Sequence, residues 1–105
     1  MSVERIGKIL NFLEENPKDC FLNHALALEY VKAGNEAAAR SSFETNLTNN
    51  PAYVATYYHL AKLLERIGET ENAIAMYEQG MNYARQAGDS HTLSELRSAY
   101  EDLVF

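Results

Sequence analysis

Residues 50–83 read NPAYVATYYHLAKLLERIGETENAIAMYEQGMNY, and residues 16–49, NPKDCFLNHALALEYVKAGNEAAARSSFETNLTN, lie over them without a gap. The register is set by the two prolines of the chain, each in an Asn-Pro pair, Asn16-Pro17 and Asn50-Pro51, 34 residues apart. Seven positions are identical: Asn16/Asn50, Pro17/Pro51, Leu26/Leu60, Ala27/Ala61, Gly34/Gly68, Ala39/Ala73 and Glu44/Glu78, while Phe43 falls on Tyr77. Six of the seven are residues that caps, turns and close helix contacts select, so the repeat is physical in origin.

Each copy reads as a pair of helices. Asn is a good N-cap and Pro is tolerated at the first helical position, so helices are expected to start near 17 and 51. Gly34 and Gly68 then end those helices in a left-handed turn. After each glycine comes a second helix whose stripe repeats every four residues: Ala39, Phe43 and Leu47, then Ala73, Tyr77 and Met81. Facing them are Leu26, Ala27 and Tyr30, then Tyr57, Leu60, Ala61 and Leu64. Alanine at 27, 39, 61 and 73 lets the paired helices approach closely.

Outside the repeats, Val3, Ile6, Ile9, Leu10 and Leu13 mark an apolar stripe over 2–15, a helix covering the first pair. Thr92-Leu93-Ser94-Glu95 has the spacing of a capping box, and Leu93, Leu96, Tyr100, Leu103 and Val104 form the face of a last helix. The expected fold is therefore all-α, with about six helices in a single domain over 1–105. Within it, 2–15 and 90–104 are capping helices and 20–53 and 54–87 are the repeats.

The composition agrees with a globular chain and narrows its partners. Of 105 residues, 47% are hydrophobic and 23% charged, and nine Lys and Arg against fifteen Asp and Glu leave a net charge of -6. That charge repels phosphate backbones and anionic lipid heads, so neither nucleic acid nor membrane is an expected partner. No apolar run reaches the length of a membrane span, the first residues lack a secretory h-region, and a lone Cys20 makes no internal disulfide. A cytoplasmic setting is the expectation.

The 34-residue period with its Leu, Ala, Tyr, Gly, Ala, Phe and Pro positions resembles the tetratricopeptide repeat. In the first repeat Leu26, Ala27, Tyr30, Gly34, Ala39, Phe43 and Pro51 match, while Asn23 stands at the aromatic position and Asn46 at a small one. In the second, Tyr57, Leu60, Ala61, Gly68, Ala73, Tyr77 and Gly80 match, Leu64 replaces the tyrosine, and Arg85 replaces the closing proline. The missing proline implies that the fourth repeat helix runs on by about a turn. What the resemblance implies is an antiparallel helix-hairpin solenoid, an α-α superhelix, whose first helices line a concave groove that holds a peptide or helix of another protein. Mapped onto this chain, the groove residues are Phe21, His24, Leu28, Val31 and Lys32, then Ala55, Tyr58, Lys62, Glu65 and Arg66. Phe21, Leu28 and Tyr58 are the expected anchors, and Lys32, Lys62 and Arg66 are cations available to an acidic segment. The carboxylate clamp known in the family is not expected, because His24 and Leu28 stand at its Lys and Asn positions and His59 at its second Asn.

No constellation points to catalysis. Cys20, His24 and His59 are the nearest approach to a metal or nucleophile set, but they lack a further ligand or orienting group, and the two histidines read as amphipathic surface groups. Glu14-Glu15, Glu69 with Glu71, and Glu101-Asp102 sit at helix ends, where Glu69 and Glu71 meet the positive end of a helix dipole. No catalytic residue, cofactor or metal is expected. The alternative to peptide binding is structural: self-association as a homodimer, or excision from a longer repeat array, suggested by the apolar close Leu103-Val104-Phe105.

Overall fold

The structure, a computed structural model, describes residues 2–105, with side chains from Val3 onward. Six helices and no strand occur among the described residues: α1 Ser2–Glu15, α2 Cys20–Lys32, α3 Glu36–Asn49, α4 Val54–Arg66, α5 Thr70–Ala87 and α6 Ser90–Val104. They fall into two compact units, residues 1–50 with α1 to α3 and residues 51–105 with α4 to α6.

The reversals are made as the glycines predict. Gly34 has φ +79° and Gly68 φ +86°, a region that side chains with a Cβ avoid. At the first, Asn35 N–H donates to Tyr30 C=O (2.9 Å) and Gly34 N–H to Val31 C=O (3.1 Å). At the second, Glu69 donates to Leu64 (2.8 Å) and Gly68 to Glu65 (3.1 Å), the same motif 34 residues on. A third copy closes α5 at Gly88, so that helix extends to Ala87 as the absent proline implied.

The Asn-Pro pairs do not N-cap helices. Pro17 and Pro51 lie in turns, and α2 and α4 begin three residues after them. Asp19 caps α2 by accepting from Leu22 N–H at 2.9 Å, Asn50 is instead the C-cap of α3, and Tyr53 precedes α4 without a side-chain cap bond. The prolines serve through their carbonyls. Pro17 C=O accepts from Asn23 Nδ2 (3.0 Å) and Pro51 C=O accepts from the Tyr57 hydroxyl (2.6 Å), each donor six residues on. Asn23 thus keeps the hydrogen bond of the aromatic position it occupies. At α6 the cap is Asp89, which accepts from Thr92 N–H at 3.1 Å, so the capping box expected at Thr92–Glu95 lies inside the helix. Hydrogen bonding from the Thr92 side chain first, and from its backbone N–H second, holds the Asp89 carboxyl below the usual carboxylate range.

In the first unit, Ile9, Leu26, Ala27, Ala39 and Phe43 are buried. Ile6 and Leu13 of α1 are half-buried, but Val3 (78% exposed) and Leu10 are exposed, so the α1 stripe is narrower than its sequence implies. Glu29 is also buried, its carboxylate 3.4 Å from Arg5 Nε and 3.3 Å from Lys32 Nζ. In the second unit, Tyr57, Leu60, Ala61, Leu63, Leu64, Ala73, Tyr77, Met81, Ala84, Leu96 and Ala99 are buried. Gly80 of α5 is where these helices meet most closely: a Cβ there would lie 2.6 Å from Tyr57 Cβ on α4 and 3.1 Å from Leu96 Cδ1 on α6. Gly7 in α1 has open space around it.

Two outcomes follow from this packing. Alanine in an open helical position gains up to about 1 kcal/mol over glycine, whereas overpacking costs about 1–3 kcal/mol. Gly7→Ala should therefore raise the melting temperature and Gly80→Ala lower it by several degrees in circular dichroism melts; a Gly80→Ala protein as stable as wild type would disprove the close approach. Burial lowers the His59 imidazole below its ordinary 6.5, with Glu95 acting in the opposite direction. The unfolded chain therefore takes up that proton first as pH falls, and stability present above the unfolded value is lost as pH drops through the lower folded one. Between about pH 7.5 and about pH 5 the melting temperature should fall more steeply in wild type than in His59→Gln; parallel slopes would show that His59 is not the group responsible.

Candidate functional site

The residues expected to line a groove are distributed over both units, and each unit places its own. In the first, Phe21 stands out from the first turn of α2 with 66% of its surface exposed, Leu28 and Val31 are half-buried, and Lys32 is exposed. His24 is buried, its ring tilted at 6.0 Å from that of Phe43, so it belongs to the contact between α2 and α3 rather than being the surface group its sequence suggested. His24 lies one helical turn before buried Ala27 and is drawn inward with it. Lys32 directs its ammonium at Glu29.

In the second unit α4 brings Tyr58, Lys62 and Glu65 to one face, as spacings of four and three residues require. Lys62 Nζ lies 5.8 Å from the centre of the Tyr58 ring and 3.7 Å from Glu65 Oε2. Tyr58 meets His59 edge-on at 5.5 Å. Glu65 also accepts a hydrogen bond from the hydroxyl of buried Tyr77 on α5. Burial first, then that bond and the surrounding negative charge of Glu65 and Asp102, raise the Tyr77 phenol far above its ordinary value, so it remains a donor at every physiological pH. Tyr57, stacked on Tyr83 at 5.7 Å, is pushed up to about 12 by burial and by its neighbour. Ala55 and Arg66 are exposed on α4.

Across from Tyr58 and Lys62 stands α6. Together they form an open cleft of about 400 Å³ lined on one side by those two residues and on the other by His91, Ser94, Glu95, Ser98, Ala99 and Asp102. The α6 residues recur at three- and four-residue intervals and so lie along one face. The apolar side of α6 marks it in the sequence as a cap; the polar stripe at 91, 95, 98 and 102 is the available signal for a second role. Small side chains at Ser94, Ser98 and Ala99 leave the space, and Glu95 and Asp102 put carboxylates beside it. The cleft is shaped to accept side chains of an extended or helical segment, with an aromatic ring for contact area and charged groups for orientation.

Among the described residues no three His, Cys, Asp or Glu side chains are placed to hold a metal ion, and no helix is long and apolar enough to cross a membrane. Cys20 is half-buried at the start of α2.

Residues 54–86, α4 and all but the end of α5, match the family model of the tetratricopeptide repeat. The solution structure of a tetratricopeptide repeat domain protein from Salinibacter ruber is 43% identical, with alignment over 84% of this chain and 89% of that one and a TM-score of 0.80. The ycf37 protein of Pyropia yezoensis is 31% identical over 70 residues, and the matched region is 67% of this chain but 39% of that relative's length. A likeness of fold alone, at 18% identity and TM-score 0.74 over 93% of this chain and 79% of the other, joins it to the first repeat domain of Spaghetti bound to the HSP90 peptide SRMEEVD. The fold is one that supports protein–protein interaction, and proteins built on it are typically non-catalytic scaffolds. From the repeat geometry and the extent of the Salinibacter match, the chain belongs to the tetratricopeptide repeat family.

Proposed function

We propose that this protein is a non-catalytic interaction module that holds a peptide or helical segment of a partner protein against the faces of its first repeat helices, with the α4–α6 cleft as the principal contact. The observation that carries this reading is the cleft itself: a half-exposed Tyr58 ring opposite small side chains on α6, with charged groups on both walls. A tyrosine so placed supplies contact area at little entropic cost. Glu65 and Arg66 on α4 belong to the same proposal, and Phe21, Leu28 and Lys32 are the corresponding contact residues of the first unit taken by itself, Phe21 being its most exposed apolar group among these. The peptide held by Spaghetti supports the view that this fold can seat an extended segment, and His24, Leu28 and His59 argue against that same peptide here. The cytoplasm is the compartment we propose for this activity.

Self-association is the second reading, favoured by the exposure of Val3 and Leu10 seven residues apart on α1. Its mark is a weight-average mass that rises with concentration in light scattering.

A two-repeat surface of this size predicts affinities near the micromolar range. Peptides selected from a displayed random library should shift the amide resonances of Tyr58, Ser98 and their neighbours, and Tyr58→Ala should weaken binding by roughly thirtyfold, about 2 kcal/mol, while leaving the remaining spectrum in place. Selected peptides that perturb α1 instead, or that bind Tyr58→Ala as tightly as wild type, would remove the cleft from the binding surface.

A further inference from the structure

The walls of the α4–α6 cleft differ in how far their charges are already matched. On α4, Lys62 is held by Glu65 at 3.7 Å and rests over the Tyr58 ring, and Glu65 also receives the Tyr77 hydroxyl. On α6, Asp102 has no ion-pair partner among the described residues, and Glu95 has His91 Nε2 at 3.7 Å, an imidazole that counts as a cation only when protonated. The lining thus sets two carboxylates against one ammonium that is already engaged. They stand two helical turns apart, about 10 Å, flanking Ser98 on the same face. The whole chain carries a net charge of -6, so the field at the mouth of the cleft adds to the local one.

From this complementarity we infer that the cleft takes a basic segment of a partner protein, seating an arginine or lysine side chain between Glu95 and Asp102 and against the ring of Tyr58. This rests on the cleft being the binding surface and names the chemistry of what fills it. An arginine suits the site best. Its planar guanidinium stacks on an aromatic ring and donates to a carboxylate at the same time, and both groups are here within one cleft. Ser94 and Ser98 offer hydroxyls that accept the remaining guanidinium protons. Lys62 yields the ring to the incoming cation because Glu65 retains its ammonium. An acidic segment would instead meet Glu95 and Asp102 without compensation, a juxtaposition that disfavours binding.

The test uses the full chain and a phage-displayed library of random peptides. Binders are resynthesised and measured by fluorescence anisotropy at low and high salt, and each is mapped by amide shifts. Selected peptides should be enriched in arginine and lysine, and should bind at least tenfold more weakly to Glu95→Gln/Asp102→Asn. They should lose a similar factor when their arginine is replaced by citrulline, which keeps the shape without the charge. Lys62→Ala, which removes the competing cation from the Tyr58 ring, should bind them more tightly than wild type, the opposite of what an acidic ligand requires. Both carboxylates are solvent-exposed, and an unchanged amide spectrum of the double variant establishes that it is folded. Peptides that map to the cleft but are acidic or neutral, or that ignore the double substitution, overturn the inference and leave the cleft as the binding site. Failure to select any peptide, or mapping elsewhere, overturns the cleft and the inference together.

Discussion

Nothing larger than a hydrogen atom fits on Gly80 where it faces Tyr57, and the second unit is organised around that contact. Because Tyr57 is on α4 and Leu96 on α6, a single glycine in α5 sets how near both helices come to their common neighbour. The cleft between α4 and α6 follows from it: two helices seated on adjacent parts of α5 leave a furrow between them, and the small residues of α6 keep that furrow open. The Tyr57 ring is fixed at its other end by the hydroxyl bond to Pro51, so the residue that meets Gly80 also ties down the turn leading into α4. One side chain thereby couples helix entry to helix spacing.

The first unit meets the same constraint with different residues. Thirty-four positions before Tyr57 and Gly80 are Asn23 and Asn46, both buried. The larger partner has become smaller and the smaller one larger, which is how a packed interior tolerates two departures together better than either alone. The donor survives the exchange, since Asn23 serves the Pro17 carbonyl as Tyr57 serves that of Pro51. Another repeat position shows a harsher substitution. Leu63 is buried in the second unit, and its counterpart Glu29 is buried in the first, where Arg5 and Lys32 surround its carboxylate. Removing only the cations would leave a charge in a poorly solvated place, so Arg5 links α1 to the repeat in a way that an apolar stripe alone would not.

These differences explain what the sequence makes legible. Left-handed reversals at Gly34 and Gly68, alanine-lined helix contacts and the extension of α5 are consequences of local backbone chemistry, and one chain displays them directly. The Asn-Pro pairs mislead because a proline favours a helix start and a turn alike; the choice was made by side chains six residues away. Periodicity ranks residues by hydrophobicity, so it places Val3 and Leu10 inside and His24 outside, whereas the available neighbours decide otherwise. Fold class is thus encoded redundantly, by many weak signals that agree. Burial of a given polar residue is encoded by a few partners in other helices.

The site follows the same division. Tyr58 and Lys62 are visible from the repeat pattern because they lie off the Tyr57, Leu60, Ala61 and Leu64 stripe of α4. Glu95 and Asp102 are not, because α6 lies outside the repeats and its polar stripe resembles any solvated helix face until α4 is set beside it. Their position alters the electrostatic sense of the surface. Judged from α4 alone, Lys62 and Arg66 make an anion-binding wall; with α6 in place, carboxylates outnumber the ammonium that lines the cleft, and that ammonium is already shared with Glu65. Near a surface, charges within about 10 Å of one another set the local potential and more distant ones are screened. A partner that approaches the cleft therefore senses the two walls together, and its charge is selected by the pair rather than by either helix.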